Sequence, residues 1–93
     1  RAVIDEVTVS GETARFKYIE WIKHPKRYRR KTKKLASQEQ VEVLWQAMEK
    51  EYELYNLDKD PYELDNLLYY QPKAHFEIRE HLKKRLYRFY LDN

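Results

Sequence analysis

The chain contains no cysteine. That excludes a disulfide framework, a thiolate zinc site and a cysteine nucleophile, and it leaves the redox compartment open. There is a single glycine, so a glycine-rich loop that cradles phosphate is excluded too. No apolar run approaches the roughly 20 residues that span a bilayer, and no membrane partner is expected. The two serines, Ser10 and Ser37, have no His and Asp in supporting positions, so a hydrolase triad has no local basis. No internal repeat or low-complexity tract occurs. At 93 residues the chain is one small domain at most, short for a fold with a deep catalytic cleft.

What is present is charge and tyrosine. Charged residues make up 38%, apolar residues 42% and aromatics 15%, with nine Tyr, a composition that folds but leaves much polar surface. The tyrosines read as core and interface packing rather than as a base-stacking platform. The net charge of +3 hides segregation. Residues 1–35 carry 11 Lys/Arg against 4 Asp/Glu, residues 36–70 carry 2 against 9, and residues 71–93 carry 6 against 3. The basic and acidic blocks can pair within one fold.

The periodicities predict an α+β fold: a small antiparallel sheet of three or four strands, a helical insertion and a long C-terminal helix packed on the sheet. Residues 2–9 are rich in β-branched types and predict a strand. Gly11 follows where a hairpin must reverse, and residues 14–22 predict the return strand. Phe16, Tyr18 and Glu20 alternate with Lys17, Ile19 and Trp21, so both faces of that strand carry large side chains. Burial of both faces, at least in part, is expected and points to a larger partner. Residues 23–34 hold eight Lys/Arg and Pro25, and predict a basic excursion from the sheet.

Ser37 offers an N-cap, with Gln40 at the capping-box position. Val41, Leu44, Trp45 and Met48 then mark an amphipathic helix over 38–50. Residues 52–57 alternate as a third strand, and Asp58-Lys59-Asp60-Pro61 is a turn signal. Pro72 suits the first turn of a final helix over 72–91. Its apolar stripe is Ile78, Leu82, Leu86 and Phe89. His75 and His81 are six apart on that helix, so they do not share a face and read as surface residues.

The segment Glu53-Leu54-Tyr55-Asn56-Leu57-Asp58-Lys59-Asp60-Pro61-Tyr62-Glu63-Leu64-Asp65-Asn66-Leu67 closely resembles the "ELYDLxxDPxExxNL" stretch near the C-terminus of the sulfatase family. Arg15-Phe16-Lys17-Tyr18-Ile19 is similar to the family's "R-Y-K-Y-I" strand, and Arg1-Ala2-Val3 to the "R-A-V" that opens the same hairpin. The block order and the following helix agree, so the resemblance covers nearly the whole of 1–93. It is specific over 53–67 and looser elsewhere. The insertion between Trp21 and Tyr52 departs from shorter members. Physically, the 53–67 segment reads as a strand–turn–helix connector. Asp58 and Asp60 are placed to accept backbone N–H bonds, and its carboxylates are expected to be structural rather than metal ligands.

The resemblance implies the C-terminal subdomain of a formylglycine-dependent sulfatase: hairpin 2–22, basic loop 23–36, helix 38–50, strand and turn 52–67, helix 72–91. In that family a large α/β domain carries the chemistry, with a formylglycine made from the Cys or Ser of a Cys/Ser-x-Pro-x-Arg motif and an activating calcium. Neither Ser10 nor Ser37 starts such a motif. The resemblance therefore implies no catalytic residue, no metal ligand and no cofactor in this chain, with calcium and formylglycine in the parent domain. The implied partners are the large domain and a sulfated small molecule or glycan. A related phosphoester hydrolase is also compatible, because the large domain shares its fold with alkaline-phosphatase relatives. The implied setting is periplasmic, secreted or lysosomal.

Loops of this subdomain reach the rim of the family's pocket, which makes Lys23, His24, Lys26 and Arg27 the candidate substrate-binding residues. The alternative from charge alone is a free-standing polyanion or nucleic-acid binding module using residues 23–34. An accessory protein that shares the subdomain but has no catalytic partner is a third reading. The sequence opens on Arg1 rather than Met, so a fragment or processed product is expected.

Overall fold

The computed structural model describes residues 1–24, 37–70 and 73–91. The architecture is α+β. Strands β1 (Ala2–Val9), β2 (Glu12–Ile22) and β3 (Lys50–Asn56) form one antiparallel sheet in the order β1-β2-β3. Helix α1 (Gln38–Ala47) lies between β2 and β3 in sequence. The short helix α2 (Leu67–Tyr70) and the long helix α3 (Phe76–Leu91) follow β3. Among the described residues no helix is long and apolar enough to cross a membrane.

Val9 pairs with Glu12, so the β1–β2 turn has only Ser10 and Gly11 between the strands. Both have positive φ, 53° and 81°. This is the left-handed pair that a two-residue hairpin needs to follow the strand twist. A Cβ on Gly11 would meet nothing within 4 Å, so the glycine is there for its backbone freedom and not for space.

Alternation sorts the sheet. One face sets Val3, Val7, Ala14, Phe16, Tyr18 and Leu54 toward α3, which answers with Ile78, Leu82 and Leu86. Tyr18, Leu54 and Leu82 are fully buried. The other face is only half covered. Ile19 and Tyr55 are buried there, whereas Trp21 is 54% and Ile4 47% exposed. Burial of both faces of β2 thus holds for Ile19 and not for Trp21.

Element ends differ from the sequence expectation in places. Ser37 does cap α1, its Oγ accepting from Gln40 N–H at 3.2 Å. The helix stops at Ala47, not at 50, because Lys50 joins β3 opposite Ile22. The Lys50 ammonium turns back and donates to the carbonyls of Trp45 and Met48 at 2.7 and 3.0 Å. That satisfies carbonyls which the helix end leaves open. Helix α3 starts at Phe76, with His75 C=O accepting from Arg79 N–H at 3.0 Å. The expected start at Pro72 lies outside the described residues. Phe89 was expected in the apolar stripe but is 64% exposed, so the docked face is Ile78, Leu82 and Leu86.

Candidate functional site

Of the four candidate substrate-binding residues, Lys23 and His24 are described and both are exposed, just past the end of β2. Lys26 and Arg27 lie outside the described residues. Lys23 N–H donates to Glu49 C=O at 3.0 Å, which ties the loop's start to the entry of β3. His24 Nε2 lies 3.7 Å from a Glu49 carboxylate oxygen. The structure therefore sets these two cationic positions at one end of the sheet, with Glu49 beside them. Both stay open to solvent, so each is free to meet an anion at modest individual strength.

The 53–67 segment bonds chiefly to backbone. Asp58 Oδ2 accepts from Arg15 N–H at 3.0 Å. Asp60 accepts from Leu64 and Asp65 N–H at 3.0 and 2.9 Å. Asn56 Oδ1 accepts from Asp58 and Lys59 N–H. Asn66 Oδ1 accepts from Leu54 and Leu68 N–H, and its amide donates to Tyr52 C=O. Glu63 holds a left-handed φ of 57° and pairs with the Lys17 ammonium at 2.8 Å. These groups fold the connector onto the hairpin. Among the described residues no three His, Asp or Glu side chains are grouped as a metal site requires. Asp60→Ala is expected to cost about 1–3 kcal/mol, the value of two local backbone bonds, read as a lowered urea midpoint.

The most densely bonded polar site is one the sequence expectation did not name. Glu20 is fully buried at the inner face of β2. Tyr18 OH donates to its Oε2 at 2.7 Å and Trp45 Nε1–H to its Oε1 at 2.8 Å. Tyr87 OH reaches both oxygens at 2.9 and 3.1 Å. Three elements thus converge on one carboxylate: β2, α1 and α3. Beside it Glu42 is also buried, held bidentate by the Arg1 guanidinium, which lies 4.1 Å from the Trp45 ring centroid. The available signal was the alternation itself, which puts Glu20 on the same inward face as Phe16 and Tyr18.

Burial, and then the bond to a carboxylate, raise the acidity constants of Tyr18 and Tyr87 well above the ordinary phenol. Tyr55 is pushed up to about 12 by burial and by its bond to Glu53. Burial also raises Tyr52. A phenol raised in the folded state keeps its proton after the unfolded chain has lost it at about 10. The unfolded state then binds fewer protons, so stability is full below pH ~10 and falls as pH rises above it. A urea midpoint that drops from pH ~10 upward is expected, with phenolate absorbance rising together with unfolding.

An open groove of about 830 Å³ lies between the hairpin turn, the connector and the start of α3. Val7, Ala14, Phe16, Leu67 and Ile78 are among its apolar lining, with Asp58, Asp60 and Asp65 also along it. The Asp58 and Asp60 oxygens there are already engaged by backbone N–H groups. The groove is therefore a product of the connector's folding more than a set of free ligands.

Comparison with known proteins gave no match: no protein family, no curated protein and no solved structure is significantly similar to this chain.

Proposed function

We propose that this chain is the C-terminal subdomain of a sulfatase, which completes the fold of a large catalytic domain and walls one side of its substrate pocket. The observation that carries this reading is the pairing of the two sequence blocks that resemble the family. They lie some 35 residues apart in sequence, yet Phe16 pairs with Asn56 and Tyr18 with Leu54 in the sheet. Asp58 then bonds Arg15 across the same junction. The residues that make the resemblance are thus the residues that hold the unit together, as a subdomain signature should be.

In this reading the parent hydrolyses a sulfate ester, and formylglycine with calcium supplies the nucleophile and its activation in the large domain. The residues of this chain do not fit either group. There is no Cys, and neither Ser is followed by the motif that is converted. Its own contribution is positional. Lys23, His24, Lys26 and Arg27 begin the basic loop where it leaves the sheet, and their charge would hold the anionic ester at the rim and favour its approach.

The test is native mass spectrometry of the material that copurifies with the chain. A covalent extension or a tightly bound polypeptide of catalytic-domain size, containing formylglycine, is the expected result. A lone monodisperse chain of 11.6 kDa overturns the reading and turns attention to polyanion binding by residues 23–34. In the assembled enzyme, Lys23→Ala and His24→Ala are expected to raise KM for the sulfated substrate several-fold while leaving kcat nearly unchanged, the mark of uniform binding.

A further inference from the structure

Strand β1 forms one edge of the sheet. Arg1 and Glu20 exchange both backbone bonds, at 3.0 and 2.8 Å. Antiparallel pairs alternate between bonded and non-bonded. The register then makes Val3–Tyr18, Asp5–Phe16, Val7–Ala14 and Val9–Glu12 the bonded pairs. The backbone groups of Ala2, Ile4, Glu6 and Thr8 therefore point away from β2. Among the described residues only the Glu6 N–H finds a partner on that side, Asp5 Oδ1 at 2.9 Å.

The opposite edge is treated differently. On β3 the outward Leu54 N–H and Tyr52 C=O are both taken by the Asn66 side chain, at 3.0 and 3.1 Å. Edge strands are commonly blunted by proline, lysine or a bulge. Strand β1 contains neither residue, and its register runs unbroken for eight residues. It is a regular template left open.

We propose that this edge receives an extended strand of the large catalytic domain, so that the sheet becomes four-stranded in the assembled enzyme. The proposal rests on the sulfatase reading above and names the surface by which the two parts join. A second copy of the chain is a poor occupant. Outward-facing residues must pair with outward-facing residues. The two-fold register that uses the whole strand sets Asp5 directly opposite Asp5. The next register sets Glu6 opposite Glu6. Like charges directly opposed destabilise a pair of strands. The register that avoids both leaves Val7, Thr8 and Val9 unpaired. The strand that fits is apolar on the side that continues Val3 and Val7, and neutral or basic opposite Asp5 and Glu6.

The register also supplies the test. Amide exchange is measured in the 93-residue chain alone and in the protein with which it copurifies. In the chain alone, Ala2, Ile4 and Thr8 are expected to exchange fast and Val3 and Val7 slowly. In the assembled enzyme, Ile4 and Thr8 slow to the rate of Val3 and Val7. Ile4→Pro removes an N–H that faces away from β2, a position where an edge strand tolerates proline, so it is expected to abolish assembly and leave the chain's own circular dichroism intact. A large domain that assembles while Ile4 and Thr8 stay fast overturns this proposal and leaves the sulfatase reading standing. Protection of these amides in a dimer of the chain overturns the choice of occupant. A lone monomer with no partner overturns both readings.

Discussion

Glu20→Ala is expected to lower the stability of the chain by roughly 3–6 kcal/mol, because it orphans three buried donors at about 1–3 kcal/mol each. The total available to a domain of this size is on the order of 5–14 kcal/mol, so the variant should sit at or near the edge of folding. The chemistry of the donors makes a second variant informative. Trp45 Nε1–H can only donate, whereas the hydroxyls of Tyr18 and Tyr87 can donate or accept. Glu20→Gln therefore has one good orientation: its carbonyl toward Trp45 and its amide toward Tyr18, whose hydroxyl turns to accept. In that arrangement every group is satisfied, and the expected cost falls to about 1–2 kcal/mol. Urea titrations with equal slopes for the three proteins would give the comparison directly. A Glu20→Ala midpoint indistinguishable from the parent would show that the three donors find other acceptors.

The contrast between Glu20 and its neighbours explains which parts of the molecule were legible in the sequence. The hairpin was legible because its information is local: β-branched runs on either side of Ser10-Gly11. So was the cap at Ser37, four residues from the Val41 that opens the apolar stripe. The connector's structural carboxylates could also be read, because Asp60 bonds Leu64 and Asp65 within its own turn. Alternation placed Glu20 on the inward face but could not say what met it there. Its donors lie 25 and 67 residues away on α1 and α3, besides the near one at Tyr18. Glu42 is similar, since its burial depends on an Arg1 guanidinium 41 residues distant. The end of α1 failed for a related reason. Local periodicity continues through Met48, but the pairing of Lys50 with Ile22 claims the next residues for the sheet. At the candidate site only the position of Lys23 and His24 past β2 was legible. Their link to Glu49 was not, because it joins the ends of two strands that are adjacent in the sheet but separated in sequence by α1.

Leu82→Ala carries the second large expected effect, a loss of about 3–5 kcal/mol. Leu82 is fully buried in the middle of α3, and the helix is docked through only Ile78, Leu82 and Leu86. Most of the rest of α3 is charged or exposed, so no neighbouring apolar side chain is placed to collapse into the space that the leucine leaves. A cavity that persists adds its own cost to the lost transfer energy. Val43→Ala is the control. Val43 is 67% exposed on α1, and alanine is the better helix former there, so a change within about 0.5 kcal/mol is expected. The same pair also bears on the function proposed. A partner that binds only the folded chain stabilises it by mass action, by about 2.7 kcal/mol when present at a hundred times its dissociation constant. If a large domain docks on the β1 edge, Leu82→Ala should melt well below the parent as an isolated chain. Inside the assembled enzyme much of that deficit should disappear. Paired thermal melts of both variants, alone and assembled, would read the coupling. A deficit of equal size in the two settings would mean that the sheet gains nothing from its partner.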